Sequence, residues 1–125
     1  MSDGIPVIAE IDHGFSNPDL LRVALTHRSA AKGKDALSGG NERLEFLGDR
    51  VLGLVIASDL RNKFPHASAG DLALRFNTLV RKESCVQAAR AAGLGSHVIM
   101  SLGEAQAGGA DKPGILADAC EALIG

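Results

Sequence analysis

The chain has 125 residues, 46 % of them hydrophobic, which is typical of a single folded domain with an apolar core. Its formal net charge of −2 excludes a general polyanion-binding protein, whose affinity depends on clustered lysines and arginines. Aromatic residues make up only 3 % of the chain, which argues against binding of single-stranded nucleic acid by base stacking but leaves duplex binding through shape and phosphates open.

The first predicted helix begins at an Asn-Pro pair. Asn17 is expected at the N-cap and Pro18 at the first helical position, where its missing N–H costs nothing. An apolar stripe follows over residues 20–25, and the helix is expected to end near residues 26–29. Residues 30–40, with the sequence AAKGKDALSGG, are rich in glycine and polar side chains and predict a mobile loop.

A long second helix is predicted over residues 42–63. Asn41 is a plausible N-cap, and Pro65 ends the helix because proline cannot continue it. Apolar residues at helical spacing predict a broad buried face formed by Leu44, Leu47, Val51, Leu54, Val55 and Leu60.

Two shorter helices and a final helix complete the prediction. Ser68 is expected to cap a helix that extends to Val80, and a further helix over residues 83–92 ends at Gly93. Residues 103–114 carry four glycines and a proline and predict a flexible loop before the last helix. No segment shows a convincing strand alternation, so the predicted fold class is all-α.

Two pairs of acidic residues lie inside apolar helical patterns. Glu45 and Asp49 are four positions apart, and Asp118 and Glu121 are three apart, so each pair shares one helical face. Carboxylates among apolar side chains require either a bound cation or strongly raised pKa values. A divalent cation is the simpler solution, and oxygen-only ligands favour Mg²⁺ or Mn²⁺ over Zn²⁺.

The segments that carry these acids resemble the motifs of a known family. NERLEFLGDRVLG at residues 41–53 resembles the signature of the ribonuclease III family, and ILADACEALIG at 115–125 resembles its second acidic motif. THRS at 26–29 fits the segment that precedes the signature, and the resemblance extends from about residue 17 to Gly125. It implies the all-α endonuclease-domain fold of this family, of the bacterial type.

The resemblance also implies a function and a set of site residues. It predicts a Mg²⁺-dependent endoribonuclease that hydrolyses double-stranded RNA, leaves 5′-phosphates and short 3′ overhangs, and processes ribosomal, messenger and other structured RNAs. Mn²⁺ is expected to substitute for Mg²⁺. By resemblance, Glu45, Asp118 and Glu121 contact the metal, while cleavage depends most on Asp49 and Glu121.

Two further residues of the signature have both a functional and a plain structural interpretation. Glu42 matches a family acid with a role in RNA binding or cleavage-site choice, yet in the first helical turn it can merely favour the positive end of the helix dipole. By resemblance, Phe46 inserts into a pocket on a second subunit of a homodimer, whereas the plain alternative is packing in the core of its own chain. The resemblance further implies that the homodimer brings two acidic sites into one shared groove, where each site cuts one strand.

The sequence departs from the family pattern at three places. Ala69 stands before Gly70 where the family commonly has Glu, which is expected to alter efficiency or site choice only. Arg50 replaces a small residue beside Asp49, where a cation either favours the charged form of that acid or crowds the site. The family continues well beyond the ALIG segment, so we interpret residues 1–125 as a catalytic domain without the C-terminal helix and the double-stranded-RNA-binding domain.

Two alternative functions follow from the same residues. A catalytically inactive RNA-binding or regulatory fragment of the same fold is one. The other is an all-α, Mg²⁺-dependent nucleotide pyrophosphohydrolase, although the LEFLGD and ADACEALIG contexts fit a nuclease better. His27 is expected to form structural hydrogen bonds rather than to act in catalysis.

Nothing in the sequence predicts export or a membrane anchor. The N-terminal residues MSDGIPVIAEIDHGF have no basic start, and no run reaches the length of about 18 apolar residues that a membrane span requires. Cys85 and Cys120 form no CxxC pair, so a zinc site or a disulfide framework has little support. We therefore expect a cytoplasmic protein.

Overall fold

The computed structural model describes residues 14–33 and 39–125, and helices make up its regular structure. The α-helices in these ranges are α1 (Pro18–Leu25), α2 (Glu42–Lys63), α3 (Ala69–Leu79), α4 (Lys82–Ala91), α5 (Leu102–Gln106) and α6 (Pro113–Ile124). Single 3₁₀ turns occur at Arg28–Ala30, Leu94–Ser96 and Gly109–Asp111. Because the described ranges contain no strand beyond an isolated bridge between Thr26 and Ile99, the predicted all-α class is confirmed.

Most of the predicted helix ends are confirmed by their hydrogen bonds. The side-chain oxygen of Asn17 accepts from the N–H of Leu20 at 3.1 Å, and the Ser68 hydroxyl accepts from the N–H of Asp71 at 3.1 Å. Gly93 follows α4 with φ of 65°, the left-handed conformation that glycine adopts without strain.

The predicted capping role of Asn41 is wrong, although the residue does stand directly before α2. Its side chain makes no cap and instead donates from Nδ2 to the carbonyl of Ala24 at 3.0 Å. Its own backbone N–H donates to the carbonyl of Thr26 at 2.9 Å. Asn41 is buried, so these bonds satisfy polar groups at the end of α1 and hold the start of α2 against it.

The core is organised around α6. This helix buries an almost entirely small and aliphatic set of side chains, namely Ile115, Leu116, Ala117, Ala119 and Ala122. Leu116 belongs to a buried cluster with Leu21, Leu25, Ala89 and Leu94. Short side chains along α6 allow α2 and α4 to pack closely against it, and these two helices are its main neighbours.

The predicted buried face of α2 is wrong over most of its length. Leu60 is buried, and Leu44 and Val51 are half-buried, but the other three predicted core residues are exposed: Leu47, Val55 and, at 72 %, Leu54. Helical spacing places these side chains on one face, but only a neighbouring element can cover that face. In the described residues, α6 covers α2 around Gly48 and leaves much of the apolar face uncovered.

The prediction of a flexible loop over residues 103–114 is also wrong. This stretch forms most of α5, a 3₁₀ turn and the start of α6. The hydroxyl of Ser101 caps α5 by accepting from the N–H of Glu104 at 3.1 Å, and Lys112 forms an ion pair with Glu104 at 2.5 Å. The glycines here permit tight turns, as at Gly108 with φ of 83°, so the segment is ordered by capping and packing.

Two sequence predictions fall partly or wholly outside the described residues. The N-terminal residues 1–13 and part of the predicted loop at 30–40, namely residues 34–38, belong to the ranges that the structure does not describe. Within the described ranges, no helix combines the length and the hydropathy that crossing a membrane requires.

Candidate metal centre

The crossing of α2 and α6 at Gly48 forms the site. A Cβ atom built on Gly48 would lie far inside contact distance of the Glu121 carbonyl oxygen, so only glycine allows the two helix backbones to approach so closely. Gly48 lies directly before Asp49 and three residues after Glu45, and it faces Glu121 across the crossing. This close approach therefore brings the two acidic pairs together.

Three carboxylates converge at the crossing. One oxygen atom from each of Glu45, Asp118 and Glu121 lies within 4.8 Å of the other two, and all three residues are half-buried. Asp49 stands beside the group, because its carboxyl shares a hydrogen bond with that of Glu121. Glu45 and Asp118 share a similar hydrogen bond. The four acids singled out in the sequence are thus neighbours in space.

The pKa values of three acids in the cluster are raised, because burial disfavours their charged forms and nearby positive charge does not fully neutralise them. Burial, followed by the charge of Asp118, raises the pKa of Glu45 to about 7. Burial and the hydrogen bond with Asp49 raise the pKa of Glu121 to about 7. Burial also raises the pKa of Asp118, although the hydrogen bond with Glu45 and the charge of Lys82 oppose the increase. Near neutral pH, the acids of the metal-free cluster therefore keep protons that a bound cation could replace.

These residues fit a hard divalent cation. Every side chain in the cluster offers oxygen, which suits Mg²⁺ or Mn²⁺. A dication would neutralise the group without the protons that two of the acids otherwise keep at pH 7. The cluster is open enough for water and substrate to complete the coordination, because none of the three side chains is fully buried.

Cations flank the cluster on two sides. Arg50 forms an ion pair with Asp49, with 3.2 Å between Nη1 and Oδ2. On the other flank, the charges of Lys82 and His27 act on Asp118. The Nδ1 atom of His27 lies 2.8 Å from the hydroxyl of Ser29, a structural contact of the kind expected for this histidine.

Glu42 and Phe46 lie outside the carboxylate group. Glu42 forms an exposed ion pair with Arg28 at 3.4 Å, although its charge still reaches Glu45 and Asp118. Phe46 is 63 % exposed and is therefore not packed in the core of its own chain, which excludes the plain structural interpretation. The guanidinium of Arg50 lies 3.9 Å from the centre of its ring.

The sequence analysis did not identify Gly48, because α2 was predicted from the spacing of its apolar residues and a glycine does not contribute to that pattern. The available signal is glycine in a long helix, where it lowers stability by about 1 kcal/mol relative to alanine and therefore indicates a packing requirement. The proximity of Lys82 and His27 to Asp118 could not be predicted from the sequence, because only the tertiary fold brings these residues together.

We expect the metal-free chain to become less stable as pH rises from about 5 to 8. Glu45 and Glu121 have folded-state pKa values near 7, above the ordinary value of 4.5, so the folded chain binds more protons between these limits. Their contribution to stability is present below pH 4.5 and is lost as pH rises through 7. Because both groups are partly exposed, we expect a combined loss of about 2 kcal/mol.

Urea unfolding in the presence of a chelator at pH 5 and pH 8 measures this loss. The Glu45→Gln, Glu121→Gln double variant is the matched control, since its amides do not titrate. An equal pH dependence in the variant and the parent chain would contradict the assignment of the effect to these two acids.

The fold and the site define an all-α domain with a cluster of carboxylates, able to hold a metal ion, at the crossing of two helices. A family model described as Ribonuclease-III-like matches residues 17–125. Ribonuclease 3 of Nitrosococcus oceani is 44 % identical over 126 residues, which cover 100 % of this chain and 52 % of the relative. Ribonuclease 3 of Dinoroseobacter shibae is 49 % identical over 114 residues, which cover 91 % of this chain and 48 % of the relative.

Two solved structures of the nuclease domain of ribonuclease III from Campylobacter jejuni are also similar to this chain. One has a TM-score of 0.83 and 40 % identity, covering 94 % of this chain and 81 % of the other. The second has a TM-score of 0.81 and 42 % identity, covering 91 % and 74 %. The chain belongs to the ribonuclease III family and has the fold of its nuclease domain. It spans about half the length of the curated relatives it matches.

Proposed function

We propose that this domain is a Mg²⁺-dependent endoribonuclease that hydrolyses phosphodiester bonds in double-stranded RNA. The observation that carries the proposal is the convergence of Glu45, Asp118 and Glu121 within 4.8 Å at the crossing of α2 and α6. Membership of a family whose curated relatives are named Ribonuclease 3 supports the reaction class.

In this proposal, Glu45, Asp118 and Glu121 hold the divalent ion, Mg²⁺ or Mn²⁺. When bound, such an ion lowers the pKa of a coordinated water and stabilises negative charge on the phosphate. Asp49 shares a hydrogen bond with Glu121 and orients that carboxylate. By resemblance to the family, cleavage depends most on Asp49 and Glu121, and their shared hydrogen bond supports this proposal.

The proposed substrate is duplex RNA. Because the chain has few aromatic residues and a net charge of −2, we expect it to bind the duplex through local contacts with phosphates and through its shape. The products are ends with 5′-phosphates and short 3′ overhangs. Processing of ribosomal, messenger and other structured RNAs in the cytoplasm is the corresponding role. Glu42, at the exposed start of α2, is proposed to contact RNA or to influence the cleavage site.

We further propose a homodimer in which Phe46 contacts the second copy. Phe46 is largely exposed and lines an open groove of about 690 Å³, together with the apolar residues Leu20, Val23, Leu44 and Leu47. In a two-fold interface, the same groove on each copy is available to the phenylalanine of the other. The related Campylobacter jejuni nuclease domain is described as having a region involved in dimer formation.

Phe46→Ala is expected to weaken self-association by about thirtyfold or more, because an aromatic anchor in a pocket commonly contributes 2 kcal/mol or more to binding. Sedimentation equilibrium over a series of concentrations measures the change. Leu102→Ala removes another largely exposed apolar side chain, from α5, and is the matched control. Identical dissociation constants for the Phe46 and Leu102 variants would argue against this interface.

The test of the activity is a gel assay with labelled double-stranded RNA at low salt. We expect cleavage with Mg²⁺ and none with a chelator, and products with staggered ends. A nucleoside triphosphate in parallel reactions distinguishes a nuclease from a nucleotide pyrophosphohydrolase. RNA binding without cleavage by a chain that circular dichroism shows to be folded would favour the inactive RNA-binding fragment instead.

A further inference from the structure

Arg50 is held beside the acid cluster by three contacts. Its Nη1 atom lies 3.2 Å from the Oδ2 atom of Asp49. The same guanidinium stacks on the ring of Phe46, 3.9 Å from the ring centre, and Nη1 donates to the Phe46 carbonyl at 3.5 Å. A cation–π contact and a charged hydrogen bond together favour one position of a side chain that is otherwise free to move in solvent.

In this position a positive charge is separated from the proposed metal ligand Glu121 by one intervening side chain, that of Asp49. Arg50 pairs with Asp49, Asp49 shares a hydrogen bond with Glu121, and Glu121 belongs to the group with Glu45 and Asp118. Guanidinium stays charged at every relevant pH, so its effect on the cluster is constant.

We propose that Arg50 acts as a built-in counter-ion that competes with the divalent metal and so sets the metal concentration at which the site fills. The inference rests on the proposed metal site. Arg50 repels a dication that enters the cluster. The attraction between the dication and Asp49 is also weaker, because the guanidinium already partly neutralises the charge of Asp49. Arg50 thereby weakens metal binding without contributing a ligand.

Direct titration of the RNA-free chain with Mn²⁺, followed by the electron paramagnetic resonance signal of the free ion, tests this role without any cleavage assay. Arg50→Ser is expected to lower the dissociation constant for Mn²⁺ by about three- to tenfold, the range for one charge near a divalent ion in a solvent-exposed site. Arg50→Lys keeps the charge and is expected to stay within about twofold of the parent chain.

The matched control is Lys63→Ser. Lys63 lies on the same helix, pairs with Asp59 at 3.0 Å, and is about 20 Å along the axis from Arg50, so its removal changes the net charge equally without touching the cluster. We expect no more than a twofold change in Mn²⁺ affinity. An equal tightening in the Lys63 and Arg50 variants would overturn the role of Arg50 and assign the effect to net charge.

Glu121→Gln separates failure of this inference from failure of the proposed metal site. If the parent chain binds Mn²⁺, Glu121→Gln weakens binding and Arg50→Ser does not change it, then the counter-ion role is wrong and the metal site stands. If the parent chain binds no Mn²⁺, both the site and the role of Arg50 are wrong. Tighter binding in Arg50→Ser alone supports the inference.

Discussion

Glu121→Gln is expected to lower the rate of double-stranded RNA cleavage by at least about a hundredfold and to leave the helical fold intact. Glu121 is the acid on which both parts of the site depend. Its carboxyl is one of three that converge within 4.8 Å, and it also shares a hydrogen bond with Asp49. The amide has nearly the same shape but cannot carry the negative charge that a divalent ion requires.

Asp49→Asn is expected to lower cleavage to a similar extent, because Asp49 is the partner of Glu121 in the shared hydrogen bond. Neither amide should destabilise the fold, because burial, followed by the hydrogen bond and charge of Asp49, raises the pKa of Glu121 to about 7 and so disfavours its charged carboxylate. We therefore expect the free energy of unfolding of each variant at pH 8 to equal or exceed that of the parent chain. Loss of activity with retained stability is the combined signature of a functional acid.

Single-turnover cleavage of labelled duplex RNA at saturating Mg²⁺ measures the first effect, and urea unfolding measures the second. Glu83→Gln is the matched control, since Glu83 is an exposed acid in the first turn of α4. We expect it to retain cleavage within about twofold. Full activity in either Glu121→Gln or Asp49→Asn would remove that residue from the proposed site.

Each acidic pair was predictable from the sequence because its two members lie on one helix, whereas the meeting of the two pairs depends on the crossing of α2 and α6 at Gly48. Spacings of four and three residues fix Glu45 with Asp49, and Asp118 with Glu121, on single helical faces whatever the tertiary fold is. The starts of α1 and α3 were predictable for the same reason, because Asn17 and Ser68 cap their helices with bonds to residues three positions away.

Features that depend on contacts between distant segments were not predictable in this way. Asn41 is a residue type that commonly caps helices, yet its side-chain amide donates a hydrogen bond to the carbonyl of Ala24, seventeen positions away. Leu54 has the spacing of a core residue, but no described element covers it. The glycines near Gly108 resemble those of a loop, whereas capping by Ser101 and the pair of Lys112 with Glu104 order the segment.

Gly48→Ala is expected to lower the free energy of unfolding by about 3 kcal/mol and to abolish cleavage with it. The added methyl group would overlap the backbone carbonyl of Glu121, and backbone at a helix crossing cannot move aside as a flexible side chain can. The helices α2 and α6 must separate to admit it. Separation uncovers core side chains and pulls Glu45 away from Asp118 and Glu121, so stability and the metal site are lost together.

Gly53→Ala distinguishes this crossing effect from a general effect of replacing glycine in α2. A Cβ atom on Gly53 would lie 3.5 Å from the ring of Phe76, an ordinary contact distance. Alanine also favours helix more than glycine, so we expect this variant to be more stable than the parent chain by up to about 1 kcal/mol. Thermal and urea unfolding of the two variants should therefore shift in opposite directions. A Gly48→Ala chain as stable as the Gly53→Ala chain would mean that the α2–α6 crossing is wider than the structure shows, and that the acids are held together by another part of the fold.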